Sequence, residues 1–253
     1  IFIDDGSTDN TKDILEEYEK SLSYLKVIKK GDSDYDLFFR YHALIDEGIQ
    51  IIKKHSSTDK IDWDYLGILD GDMTVKDSNY YYYLMNKMNR DSSLAVVSGE
   101  VLIRENNHLI VEKRNSNKPC GGARLISKEI IDNFQYPIIP AADSVLLERV
   151  KRKGYNCQIF SDVSVIESRP TNTKLGNLNG YIYKAKVYYY LGDTFPYVIL
   201  YSIYLSFKFP FYFGVVFLFS YSKKYFSNQP RTSELDVIQY RREKLAVFLK
   251  SFF

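Results

Sequence analysis

The chain has 253 residues, long enough for one large domain or two small ones with a sizeable core. Apolar content of 45% and charged content of 26% exclude wholesale disorder, and a net charge of +2 is too small to argue for nucleic acid as a partner. Cys120 and Cys157 stand in no metal-ligand spacing and His42, His55 and His108 are scattered, which argues against structural zinc and for two buried thiols in a reducing compartment.

The chain opens on IFIDDGSTDN, an apolar run ending in two adjacent acids, Asp4 and Asp5. A turn at Gly6 followed by a helix cap from Ser7, Thr8 or Asp9 explains one acid. Two adjacent like charges call for hydrogen-bond donors, a cation or a ligand nearby. Because the first residue is Ile1, already within a strand, the expectation is that an upstream piece is missing; no signal peptide is visible. TKDILEEYEKSLSYL then spaces Ile14, Leu15, Tyr18 and Leu22 as one helical face, LKVIKK reads as a short strand, and residues 37–54 make a second long helix. DYLGILD is a strand that again ends in acid, and a helix over Tyr80–Asn89 precedes the strand LAVVSGEVLI. After a polar loop at 105–118 come CGGARLIS, ISKEIID, a helix from Asp143 to Lys153, and CQIF and VSVIE as two short strands.

Strands that alternate with helices and are apolar almost throughout predict an α/β fold, with a mostly parallel central sheet flanked by helices on both faces. In such sheets ligands bind beyond the strands' carboxyl ends, where both acidic clusters fall. Composition changes after Asp193: aromatics crowd into uncharged runs at 195–207 and 209–222, split by Lys208 and Pro210. Each run is shorter than the ~20 residues of a spanning helix. Tyr, Phe and the following Lys223 and Lys224 suit a bilayer interface, with a helical hairpin buried against the domain or a dimer partner as the alternative. The tail from Ser233 is expected to be an amphipathic helix.

GILDGDMTV places Asp70 and Asp72 around Gly71 at a strand end. Two such carboxylates share one hard cation, Mg²⁺ or Mn²⁺, completed by phosphate oxygens and water, which implies a phosphate-bearing substrate; a plain surface turn is the alternative.

Three ordered motifs, IDDGSTDNT, ILDGD and ADSVLLERVKRKGYN, resemble the inverting family 2 glycosyltransferases of the nucleotide-sugar-binding GT-A fold, and specifically membrane-associated prokaryotic members. The resemblance covers about residues 1–165 and implies a catalytic domain over 1–170, lacking the family's first strand, with 171–253 as a helical, membrane-interface segment. It implies a nucleoside-diphosphate sugar donor, a glycan or lipid-linked acceptor, and a cytoplasmic protein, peripheral or monotopic at the inner face of the membrane; a homodimer is a further candidate partner. By residue it implies Asp5 on the nucleotide base with Asp4 in support, Asp72 chiefly on the metal, Asp70 on the metal or ribose, and Asp143 as general base. Arg40 joins the donor contacts, with Arg149 and Arg169 as further phosphate contacts; exposed helical arginines are the commoner alternative. Gly121, Gly122 and Ala123 form a candidate acceptor loop or a plain tight turn, and Asp143 reads equally well as a helix cap. Where the family has a Glu before the base, which would orient the acceptor, this chain has Ala142.

Two other classes compete. GILDGDMTV also fits haloacid-dehalogenase-like phosphatases, with Asp70 as nucleophile, Asp72 as acid–base and Ser98 as a second-motif hydroxyl. A non-catalytic membrane-associated scaffold of the same fold is the third.

Overall fold

The computed structural model describes residues 1–31, 38–59, 62–105, 108–112, 114–168, 176–208 and 210–250. The chain forms two compact units, one from 1–66 and 127–142, the other from 67–126 and 143–253.

In the first unit, β1 (Phe2–Asp4) and β2 (Val27–Lys29) pair in parallel, with Phe2 opposite Val27 and Asp4 opposite Lys29. Helix α1 (Thr11–Ser21) makes the crossover between them and buries Leu15. Helix α2 (Arg40–Asp59) begins three residues later than the sequence pattern suggests, and positions 32–37 lie outside the described residues.

The second unit is built on a sheet ordered β3 (Tyr65–Leu69), β7 (Ala123–Ser127), β5 (Leu94–Glu105), β8 (Asn156–Glu167), β4 (Met73–Val75), with β6 (His108–Val111) also on β5. The mostly parallel sheet expected from the apolar runs is in fact mixed. β5 and β8 run parallel, whereas β7 and β6 pair antiparallel with β5, and β4 antiparallel with β8. Continuous apolar residues report that both faces of a strand are covered, not which way its neighbour runs. β5 shows this: six residues from Leu94 to Gly99 are buried in succession.

Helix α3 (Tyr80–Arg90) buries Tyr80, Leu84 and Met88, one face at a spacing of four. The wholly buried Tyr80 hydroxyl donates to the Ala123 carbonyl at 2.9 Å and accepts from the Gly99 amide at 2.8 Å, tying β5 to β7. The short α4 (Lys128–Asn133) belongs to the first unit, and α5 (Ala142–Arg152) leads back into the second.

The aromatic stretch forms α7 (Phe195–Ser206) and α8 (Tyr212–Phe226), which pack with α6 (Gly176–Tyr190) around Ala185, Tyr189, Val198, Leu205, Phe217 and Tyr221. Among the described residues no helix is long and apolar enough to cross a membrane. The last helix, α9 (Leu235–Lys250), is held by Arg241, which reaches the buried Asp193 carboxylate at 3.0 Å.

Candidate active site

The acidic turn after β3 is fixed at both ends by backbone. The Asp70 amide donates to the Gly122 carbonyl at 2.7 Å, the Met73 amide to the Asp70 carbonyl at 3.0 Å, and the Ser168 amide to the Asp72 carbonyl at 3.0 Å. A five-residue strand, a three-residue gap and the short β4 thus leave Asp70 and Asp72 half-buried around the exposed Gly71.

Asp143 lies in the first turn of α5, where the helix's unpaired N–H groups favour negative charge. Ala141, just before the helix, has φ of 59°, a left-handed conformation that side chains avoid, so the chain enters α5 through a tight bend. The Asp143 carboxylate is ion-paired through Oδ1 with Arg124, whose own side chain is 0% exposed. Arg124 closes the CGGAR stretch read from the sequence as a candidate acceptor loop, but a role beside Asp143 is not among the sequence expectations. The signal for it was a lone charge inside the apolar run ARLIS of β7, which is buried from Ala123 to Ile126.

Gly121 and Gly122 connect these acids. A β-carbon on Gly121 would sit 2.8 Å from Cγ of Asp143, and one on Gly122 would sit 2.8 Å from Cγ of Asp70. Neither carboxyl carbon could keep its place beside a larger residue. Two consecutive α-carbons, ~3.8 Å apart, therefore each abut one of the two carboxylates. Of the three residues expected in an acceptor loop, Gly121 and Gly122 meet the acids, while Ala123 is wholly buried in β7.

In the first unit, the Arg40 Nε donates to both oxygens of Asp5 at 2.9 Å, with a further contact from its terminal nitrogen. Asp4, only 4% exposed, accepts from the Ser7 hydroxyl and amide, and these bonds hold its carboxyl below the usual carboxylate range. Its second oxygen is buried with no hydrogen-bond partner among the described residues. Arg149 bonds Asp236 at 2.7 and 3.0 Å and Glu234 at 2.8 Å, so its donors turn toward α9. Arg169 lies outside the described residues. Ser98, on which phosphatase chemistry would depend, is fully buried, with its hydroxyl bonded to the Cys120 amide and the Gly99 carbonyl. Both cysteines are buried free thiols, and burial pushes Cys157 up to about 11.

The donor set fits a hard divalent cation in part. Asp70 and Asp72 offer carboxylate oxygens on either side of one glycine, and among the described residues no group of three or more His, Cys, Asp or Glu is arranged to hold a metal. Such a pair suits a cation that takes its remaining ligands from phosphate and water.

No family model matches the chain, and no curated protein matches it. Among solved structures it is similar to a mannosyltransferase from Pyrobaculum calidifontis determined in complex with GDP-Man and Mn²⁺. The likeness covers 98% of this chain and 70% of that one, at 12% sequence identity and a TM-score of 0.50. The fold is therefore shared with a glycosyltransferase.

Proposed function

We propose that this chain is an inverting, family 2-type glycosyltransferase of GT-A character, which moves a sugar from a nucleoside-diphosphate donor to a hydroxyl of a glycan or lipid-linked acceptor. The observation that carries this reading is the pair of consecutive glycines, with Asp70 against Gly122 and Asp143 against Gly121. That arrangement brings an acid from the candidate cation turn and a candidate base to neighbouring points of one backbone segment. The shared fold with a protein that binds GDP-Man and Mn²⁺ supports it further.

Asp70 and Asp72 would hold Mg²⁺ or Mn²⁺, whose chemistry when bound is to offset charge on the donor's diphosphate. Asp143 accepts the proton of the acceptor hydroxyl as that oxygen bonds to the anomeric carbon. The bond from the anomeric carbon to the diphosphate breaks in the same displacement, and the electron pair leaves with the nucleoside diphosphate. Attack from the opposite face inverts the anomeric centre. The buried Arg124 guanidinium pairs with the Asp143 carboxylate through Oδ1. In the first unit, Asp4 and Asp5 are the candidate contacts to the nucleotide, and Arg40 sets the orientation of Asp5.

A panel of UDP-, GDP-, dTDP- and CMP-sugars, with and without Mn²⁺, tests this by melting temperature and by release of nucleotide. One donor should stabilise the protein in a Mn²⁺-dependent way, and Asp72→Ala should abolish the effect without unfolding the chain. Asp143→Asn should keep donor binding and lose at least about a hundredfold in turnover. Full activity of that variant would make Asp143 a helix-start residue only.

The aromatic helices support attachment of this enzyme to a membrane surface, as a peripheral or monotopic protein at the cytoplasmic face. Although their inner face is packed, Ile203, Phe207, Phe211, Val215, Phe219 and Phe226 are exposed, Phe207 at 82% and Phe219 at 71%. Lys208 and Lys223 are exposed in the same segment. An apolar face with basic residues suits an interface rich in anionic lipid. The protein should pellet with phosphatidylglycerol vesicles, and Val215→Asp with Phe219→Asp should release it at unchanged donor affinity; failure to pellet would remove this part of the proposal.

A further inference from the structure

We infer that Arg124 is a positioning residue for the base, setting the orientation of the Asp143 carboxylate from beneath the site; the inference rests on the reading of Asp143 as general base. Arg124 sits on β7 opposite Ser98 of the central strand, so its backbone is fixed in the sheet's antiparallel ladder. Its side chain is wholly buried and its guanidinium meets Oδ1 of Asp143. The other oxygen, Oδ2, lies on the side of Gly121, which has no β-carbon to displace it. One oxygen is thus placed by a charge-assisted bond from a buried strand, and the other occupies space that a β-carbon on Gly121 would take. The carboxylate's tilt is defined at two points, while its side chain keeps 28% exposure.

Stability is a poor explanation for such an arrangement. Removing a guanidinium from water is costly, and apolar replacement of a buried ion pair is frequently neutral or even stabilising. What the pair does supply is geometry, since a charged donor bound to one carboxylate oxygen restricts rotation of the group. Proton abstraction needs the accepting oxygen within hydrogen-bond reach of the hydroxyl, and a displacement of about 1 Å costs on the order of a hundredfold in rate. Arg124 therefore acts through Asp143, without touching donor or acceptor.

A double-mutant cycle tests this with whichever sugar nucleotide of the panel the unaltered protein turns over. Arg124→Met should lower kcat about ten- to a hundredfold while the Kd for the nucleoside diphosphate with Mn²⁺ stays within about twofold. Arg124→Lys, which keeps a charged donor, should recover part of the loss. In the Asp143→Asn background, Arg124→Met should cost no more than about twofold, because the group it positions has gone. If Arg124→Met does not fold, Arg124→Lys measured in both backgrounds completes the cycle. Equal losses in the two backgrounds, or a loss of donor affinity that parallels the loss of kcat, would overturn the positioning role and leave the base assignment standing. Full activity of Asp143→Asn, or no turnover of any donor, would instead overturn the reading on which this inference rests.

Discussion

The two acidic strand ends, so alike in sequence, are held in opposite ways. At the end of β1, Asp5 is gripped by the half-buried Arg40 side chain and Asp4 by the Ser7 hydroxyl and amide. In the second unit, Asp70 and Asp143 abut the backbone of Gly122 and Gly121, and the Asp143 partner is an arginine buried in a strand. An ion pair whose two side chains are both partly solvated, like Asp5 with Arg40, yields to salt. The Gly121–Gly122 turn, which runs straight into the antiparallel strand β7, does not, and a single added methyl is enough to disturb what rests on it. The difference separates a region suited to adapting to a ligand from one suited to holding reacting groups still.

The sharpest way to break the contrast is to add that methyl. Gly121→Ala should displace the Asp143 carboxyl, lowering turnover by about a hundredfold or more with donor affinity kept, as read by steady-state kinetics alongside nucleotide titration. Gly122→Ala acts on Asp70 instead, and should remove the Mn²⁺-dependent part of nucleotide stabilisation at a cost of about 1–3 kcal/mol in folding stability. If either alanine leaves its function intact, the carboxylates are less firmly seated than the close approach requires. A smaller effect is expected at the first strand end. Arg40→Gln should weaken donor binding at low salt and differ little from the parent at high salt, since the Asp5–Arg40 pair is partly solvated. A loss that persists at high salt would make this pair as rigid as its counterpart.

Smallest of all is Ser7→Ala. The Ser7 hydroxyl lowers the Asp4 carboxyl below its ordinary value, so its stabilisation is present above about pH 4 and is lost as pH falls through the folded value. The variant should lose about 1 kcal/mol at neutral pH, and the gap between variant and parent should close under acid. Urea titrations at pH 7 and pH 3 measure both; a gap constant with pH would mean that Asp4 is not the group responsible.

Much of this was legible in the sequence, and what escaped has local physical causes. Apolar periodicity located the strands and most helices, and the acids did mark strand ends. The stretches CQIF and VSVIE, read as two strands, are one. β8 pairs Phe160 with Gly99 and then Ser164 with Glu100, so three residues bulge out where the apolar pattern lapses. β6 went unseen because all four of its residues are exposed on an outer strand, within a loop that reads as polar. Helix α6 falls in the 171–253 stretch expected to be helical, although it starts in Gly-Asn-Leu-Asn-Gly, which carries turn chemistry, and continues through β-prone tyrosines; it packs in the cluster with Phe217 and Tyr221. In the site, the motif positions were readable but their partners were not. Whether a glycine abuts a carboxylate, or an arginine turns inward, depends on which strands become neighbours, and strand direction was what the apolar runs left undetermined.

The two-piece make-up of the first unit bears on how the chain is born. Its stretches, 1–66 and 127–142, are separated by part of the second unit, and they are joined by bonds such as Lys53 to the Ile131 carbonyl at 2.6 Å and Lys128 to Asp62 at 2.9 Å. At translation rates of about 5–20 residues per second, roughly 4–15 seconds pass between synthesis of the first stretch and the last residue of the second. Throughout that interval β1 and β2 wait on the ribosome without the segment that completes their unit, with Phe2 exposed and β1 paired, among the described residues, with β2 alone. Synonymous codon changes that slow translation between Gly67 and Ile126 should therefore lower the soluble yield of an otherwise identical protein, whereas slowing after Ala142 should not.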